Sequence, residues 1–288
     1  MGGTVWSVDF FTGYEGMPAV ADDLGCRVLV TSVEGWSVLA APRVDRQDRP
    51  YLDGSLSGPS TQPGKAVTIR GVVKAPGQVA LLTWIDRFTG LLTDGDRSGT
   101  LTAAEAHLTR YLGVQRGDEA IATPRNLFEG DFSMILWADD PKRLGDPLTA
   151  STGLPLVTGG LRLPVTLPFT LDSAVATGQC SLFNPGTAPG PVLIRLHGPV
   201  IGASQVTHAG SGPPVAVAFG SALSLPAGQW LDIDMDNQQV LANGQVERAE
   251  FVTNPGWSAF DKGRNTWSFA AANYSAAYID VIAHPAWF

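Results

Sequence analysis

DGDRSGTLTAAE, residues 94–105, decides how the first half of this chain is read. It has the form D-x-D-x-S-G-x-L-x-x-x-E, the spacing of an EF-hand calcium loop. In that reading Asp94, Asp96 and Ser98 take ligand positions 1, 3 and 5. Gly99 makes the sharp turn, Thr100 offers its backbone carbonyl, and Leu101 fills the hydrophobic position that follows. Glu105 closes the site with both carboxylate oxygens, which requires it to open a helix. The preceding residues, GQVALLTWIDRFTGLL, supply the first helix of such a unit over about 77–92. Leu81, Ile85, Phe88 and Leu92 recur there at helical spacing and form one apolar stripe. AAEAHLTRYLG, residues 103–113, has the propensity for a second helix. Against this stands RYLGVQRGDEAIATPR, residues 110–125, which reads as a hairpin around Arg116-Gly117-Asp118 with Val114, Ile121 and Thr123 favouring strands.

Outward from this stretch the chain reads as β structure. Of its 288 residues 44% are hydrophobic and 16% charged, enough to bury a core, and Gly 33 and Pro 21 are spread along the whole length. Many short elements joined by turns follow from that distribution. CRVLVTSV (26–33) alternates like a strand, GWSVLAAPRV (35–44) reads as another, and PYLDGSLSGPSTQPGK (50–65) as a long loop. AVTIRGVVKAP (66–76) is a strand stopped by Pro76, and LFEGDFSMILWADDPKRLG (127–145) alternates as far as Asp140-Pro141. Charges thin out and Gly, Pro and Thr accumulate in GDPLTASTGLPLVTGGLRLP (145–164). This shift places a domain boundary near 146–160, with an N-terminal domain over 1–150 and a C-terminal one over 151–288. Beyond it GQCSLFNPG, GPVLIRLHGPV, PVAVAFGSALSLPAGQWLDIDMD, QQVLANGQVERAEFV, NTWSFAAANY and AAYIDVIAHPAWF follow as strands at sandwich spacing, with Asn243-Gly244 a tight turn.

Signs of chemistry are sparse. The net charge is −8, and no Lys/Arg cluster marks a nucleic-acid-binding surface. Cys26 and Cys180 sit in no metal or redox spacing and read as buried thiols of a reducing compartment, a bridge between them staying open. The sequence shows no signal peptide and no membrane span. Dinucleotide, P-loop, zinc-protease and nucleophile-elbow patterns are missing, and His107, His197, His208 and His284 lie far apart, so no enzyme is expected. Asp232, Asp234 and Asp236 alternate along one strand face, either a hard-cation site or a solvated surface. Trp230, Trp257, Trp267 and Trp287 either stack on sugars, as in a carbohydrate-binding module, or fill the core.

The order of segments carries a resemblance that single motifs do not. VEGWSV, LDGSLS, KAVTIRGVV, GTLTAAE, LTRYLGVQRGDE and FSMILWADDPKRLG are followed by TGGLRLPVTLPF, FNPGTAPGPVLIRLHGPV, LPAGQWLDIDMDNQQVLANG, GRNTWSF and PAWF. From about Asp22 to Phe288 this series resembles the distal tail proteins (Dit) of long-tailed bacteriophages, in the form also called minor tail protein in phages of actinobacteria. The resemblance implies a mainly β chain: an N-terminal β ring-forming domain with one helix, then a galectin-like β-sandwich. It implies a non-enzymatic virion protein at the distal end of the tail, assembled in the host cytoplasm. The family's homohexameric ring joins the tail tube protein to the tail-tip hub of the baseplate, and DNA passes through the bore without specific binding. A sequence pI of about 4.9 suits such a bore, since negative walls repel phosphates. In the family, residues 99–105 run as a strand, which points Glu105 away from Asp94 and leaves no metal site and no cofactor. The sugar-binding signature of galectins is missing from the second half, so binding of host cell-wall glycans there is a separate expectation, as is Ca2+ at residues 94–105.

Overall fold

The computed structural model describes residues 3–16, 19–93, 98–158, 174–273 and 276–288. Two compact units divide the chain, Met1–Gly145 together with Phe288, and Asp146–Trp287. The structure is mainly β, and α1 is the one α-helix among the described residues.

Unit 1 contains β1 (Val5–Val8), β2 (Phe11–Tyr14), β3 (Arg27–Glu34), β4 (Arg43–Asp48), β5 (Ser55–Thr61), β6 (Lys65–Lys74), α1 (Gln78–Thr89), β7 (Gly99–Ala104), β8 (Thr109–Arg116), β9 (Ile121–Pro124), β10 (Glu129–Ala138) and β11 (Arg143–Gly145). Its main sheet runs β11-β8-β7-β1-β2-β3-β6-β10-β9, and β10 pairs a second time with β8 through Leu136↔Arg116 and Trp137↔Gln115. The circuit from β8 round to β10 therefore closes, with β11 and β9 as flanking strands beside it. Every second side chain points inward: Val67, Ile69 and Val73 of β6, and Phe132, Met134 and Leu136 of β10.

α1 lays Leu81, Trp84 and Phe88 on this interior. The Trp84 and Phe88 rings stack at 5.0 Å, and Phe132 meets Phe88 at 5.4 Å and Phe11 at 5.5 Å. Removing each of these three helix side chains from water contributes about 1.5–3 kcal/mol. Gly71 faces Phe132 across the β6–β10 ladder, and a Cβ there would lie 2.1 Å from the Leu29 carbonyl oxygen and 2.6 Å from the Phe132 ring. Only glycine lets the ring lie flat over the strand at that point.

Three expectations for this unit are corrected. Residues 35–42 of GWSVLAAPRV are not a strand, and only its last two residues begin β4. The supposed loop at 50–65 contains β5, which pairs with β4 from Arg43↔Thr61 to Asp48↔Ser55. Neither strand has a buried face, so neither shows the alternation by which a strand is recognised in sequence. Finally, β8 and β9 do not form a hairpin around Gly117. β8 pairs with β7, while β9 crosses to the far side of β10. The backbone N–H of Gly117 bonds to the Ile135 carbonyl, turning the chain toward β10 instead of back along β8.

Unit 2 contains β12 (Leu148–Gly153), β13 (Leu156–Thr158), β14 (Ala174–Ala176), β15 (Gln179–Asn184), β16 (Val192–His197), β17 (Val200–Ile201), β18 (Ser204–Ala209), β19 (Val215–Phe219), β20 (Ser224–Leu225), β21 (Trp230–Asp234), β22 (Gln239–Ala242), β23 (Val246–Glu247), β24 (Val252–Pro255), β25 (Gly263–Ala271) and β26 (Tyr278–Ala283). A six-stranded sheet, β12-β26-β16-β21-β22-β23, and a five-stranded sheet, β15-β25-β18-β19-β24, enclose one core. Ile194, Leu196, Leu231, Ile233, Ile279 and Val281 come from the first; Val206, Val217, Phe219, Trp267 and Phe269 from the second. This is a β-sandwich. Asn243 at φ 50 and Gly244 at φ 69 make the turn that follows β22. The expected segment TGGLRLPVTLPF lies outside the described residues apart from Thr158.

Candidate functional site

Three places could carry function: the end of the 94–105 stretch, the outer face of the six-stranded sheet, and the β4–β5 hairpin. At the first, Gly99–Ala104 is a strand, so Thr100 and Leu101 are ladder residues; Leu101 is fully buried in the core. Glu105 follows the strand in the tight turn to β8, its N–H bonded to the Leu108 carbonyl. The second helix of an EF-hand is thus a strand and a turn. The reason is tertiary: β7 pairs on both sides, with β1 and with β8, and this outweighs the helix propensity of residues 103–113. Ser98 is described and exposed, whereas Asp94 and Asp96 lie outside the described residues.

The Glu105 carboxylate instead completes a largely buried polar network. Arg110 donates to Oε2, and the Trp36 indole N–H donates to Oε1 at 3.3 Å. Trp36 meets Trp6 edge to face at 5.0 Å, and its carbonyl accepts from Lys65 Nζ at 3.1 Å. Lys65 and Arg143 are each only 6% exposed, with Nζ 5.8 Å and Arg143 Cζ 5.5 Å from the Trp36 ring. Burial, with Arg143 and Arg110 nearby, pulls the Lys65 ammonium down to about 8. Arg143 also donates to the Phe288 oxygen. Such a network holds strand ends and a loop in one arrangement.

On the six-stranded sheet, strand pairing sets two outward rows of side chains. One row is Tyr278, His197 and Trp230; the other is Ser151, Asp280, Arg195 and Asp232. Arg195 Nε donates to Asp232 Oδ1 at 2.7 Å, and the Trp230 indole donates to Oδ2 at 3.1 Å. The guanidinium, held protonated by that carboxylate, lies over the Trp230 ring at 5.4 Å. His197 Nε2 bonds to Asp280 Oδ2 at 2.9 Å, and Ser151 Oγ donates to Oδ1 at 2.5 Å. Serine, histidine and aspartate thus meet, but the carboxylate stands between hydroxyl and imidazole. A nucleophile needs its base as hydrogen-bond partner, so this order activates no hydroxyl.

The aspartates of WLDIDMDN therefore divide. Asp232 anchors Arg195, while Asp234 accepts from the N–H groups of Asp236 and Asn237 and so shapes a turn. Among the described residues no group of three or more His, Cys, Asp or Glu side chains is placed to hold a metal ion. The tryptophans divide as well: Trp267 is fully buried under His208 at 4.8 Å, Trp257 and Trp287 are half-buried, and only Trp230 belongs to the outward row. Of the remaining histidines, His208 is buried against Asn265. Cys26 and Cys180 are both buried and unbridged, and burial pushes each thiol up to about 11. Sequence alone did not single out Arg195 or Tyr278. The signal was present as period two: Arg195, His197, Trp230, Asp232, Tyr278 and Asp280 alternate with core residues. Among the described residues no helix is long and apolar enough to cross a membrane.

The β4–β5 hairpin carries no buried residue, and its tip exposes Tyr51 fully and Leu52 and Leu56 largely. A two-stranded ribbon is marginal alone in water, and one with an apolar tip is an unusual free surface.

No protein-family model and no curated protein matches the chain. The SPP1 Dit (gp 19.1) protein, described as a paradigm of the hub adsorption apparatus in phages that infect Gram-positive hosts, aligns over 88% of this chain and 92% of its own. Sequence identity is 12% and the TM-score 0.60. This chain has a Dit-like fold. Two structures of the phage P2 baseplate in its activated conformation, with Ca and with Sr, align over 97% of both chains at 9% identity and a TM-score of 0.47.

Proposed function

We propose that this Dit-like chain is a structural protein of a bacteriophage tail tip. In this reading copies of unit 1 form a hexameric ring at the distal end of the tail. The ring continues the tail tube, seats the hub or baseplate protein, and bounds the channel through which DNA leaves. The observation that carries the reading is the alignment with SPP1 Dit over 88% of this chain and 92% of that one. Fold likeness alone gives no activity, so the chemistry must agree. Here it does: Glu105 is bonded to Arg110 and Trp36, and Asp232 to Arg195 and Trp230, contacts that fix geometry, and a net charge of −8 suits a passage for DNA that must not stick.

The hairpin supports assembly specifically. Its apolar tip of Tyr51, Leu52 and Leu56 is exposed in the single chain, and a neighbouring copy in a ring is the surface that would cover it. The test is the double substitution Tyr51→Ser with Leu52→Ser, followed by sedimentation velocity over a range of concentrations. Wild type forms hexamers and the variant stays monomeric with an unchanged far-UV circular dichroism spectrum. A wild-type chain that remains monomeric at high concentration refutes the reading.

A further inference from the structure

The turn that follows β22 has the geometry for a spontaneous change of the backbone. We propose that Asn243 is a self-modification site: the Gly244 nitrogen closes on its side chain to a succinimide, which water opens to isoaspartate or aspartate.

The attacking nitrogen is free and unshielded. Asn243-Gly244 is the only Asn-Gly pair in the sequence. Asn243 at φ 50 and Gly244 at φ 69 have the positive φ values of a type I′ turn, which the Gln245 N–H closes on the Ala242 carbonyl at 3.0 Å. Both residues are exposed. Among the described residues no acceptor meets the Gly244 N–H, so attack costs no hydrogen bond within the protein. Glycine also brings no side chain to screen that nitrogen.

The group under attack is held in place. The Trp230 N–H donates to Asn243 Oδ1 at 3.1 Å, and the Asn243 N–H donates to the Trp230 carbonyl at 3.0 Å. Attack at Cγ drives negative charge onto Oδ1. A backbone N–H already aimed at that oxygen stabilises the charge as it develops. The bond from the Gly244 nitrogen to Cγ forms and the Cγ–Nδ2 bond breaks. The Gly244 proton leaves with Nδ2 as ammonia. One water then opens the ring: cleavage at Cγ gives aspartate, and cleavage at the main-chain carbonyl gives isoaspartate. The latter lengthens the backbone by one carbon at the turn that sets the β22–β23 register, so the change falls on the edge strand of the sheet.

The other asparagines lack this combination. Asn184 and Asn254 precede proline, whose nitrogen has no proton to lose. Asn265 is buried, its amide bonded to the Asp261 and Gly263 carbonyls. Asn126 and Asn237 are exposed, but Leu127 and Gln238 follow them, which makes the two asparagines internal controls.

The experiment is incubation of the full chain at neutral and mildly alkaline pH. Peptide-mapping mass spectrometry with electron-transfer fragmentation separates isoaspartate from aspartate. Asn243 is expected to convert, faster as pH rises, while Asn126 and Asn237 in the same sample stay intact. The folded chain should convert at least as fast as the chain in urea, because only the folded turn holds the Trp230 N–H on Oδ1. Gly244→Ala should slow conversion roughly ten- to a hundredfold, since alanine resists φ 69 and displaces the attacking nitrogen. Asn243→Gln, which would have to close a larger ring, should stop it. Circular dichroism establishes that each variant folds, with Asn243→Gln the decisive one where Gly244→Ala does not. Asn243 left intact, conversion slower in the folded chain than in urea, undiminished conversion in a folded variant, or equal loss at Asn126 and Asn237 overturns the proposal. None of these readings depends on hexamer formation, so a failure here is distinct from a failure of the tail-tip reading.

Discussion

Replacing Lys65 with methionine should make the stability of unit 1 respond differently to pH. The ammonium group is almost fully buried beside Trp36, with Arg143 and Arg110 disfavouring its charge and Asp140 favouring it. In the folded chain it releases its proton near 8; unfolded, it behaves as an ordinary lysine near 10.5. Between those values the unfolded chain binds more protons, so its contribution to stability rises with pH. Below about 8 the full cost of the buried charge is present; above about 10.5 it is gone. At 1.36 kcal/mol per pH unit, the interval amounts to on the order of 3 kcal/mol. The two buried thiols act in the opposite direction, since folding holds them protonated at a pH where unfolded cysteine ionises. They are common to both proteins, and the difference between wild type and Lys65→Met cancels them. The assay is urea unfolding from pH 7 to 10.5, followed by near-UV signals of Trp6, Trp36 and Trp84. The stability gap should move toward wild type by that amount as pH rises. A gap that is flat, or moves toward the variant, refutes a buried charged lysine at this position.

Other outcomes follow from the same geometry. Gly71→Val places a side chain against the Leu29 carbonyl and the Phe132 ring, and should lower stability by more than about 2 kcal/mol in calorimetry. Trp84→Ala empties the space between α1 and the barrel interior and should cost about 3–5 kcal/mol by urea unfolding. Glu105→Gln breaks the pair with Arg110 and should cost roughly 1–3 kcal/mol. Calorimetric titration with calcium should give the same heats in wild type and in Glu105→Gln, because that carboxylate is already committed to Arg110 and Trp36. A calcium heat lost on this substitution would restore the EF-hand reading.

Much of this fold was legible because its core strands alternate. Lys65–Lys74 and Glu129–Ala138 show period two over ten residues each, and α1 (Gln78–Thr89) lies inside the span of about 77–92 that the apolar stripe marked. What escaped had no burial to write it into the sequence. β4 and β5 are exposed on both faces, and β9 joins β10 through a crossing that no local pattern encodes. The 94–105 stretch is the opposite case, a local motif that the order of the whole chain outweighs. Its local match is complete, but Leu101 and Ala103 are required by the barrel interior, and that long-range demand sets residues 99–104 as a strand. On the sandwich, four tryptophans drew attention while Arg195 and Tyr278 did not. Which aromatic faces out depends on register, and register is a property of the paired sheet.

Electron cryomicroscopy of the intact particle tests assembly into a tail-tip ring. Six copies are expected in one ring at the distal end of the tail, with unit 1 lining the channel and the tip at Tyr51 and Leu52 seated on the adjacent copy. A chain found singly, or in a component away from the tail tip, would contradict it.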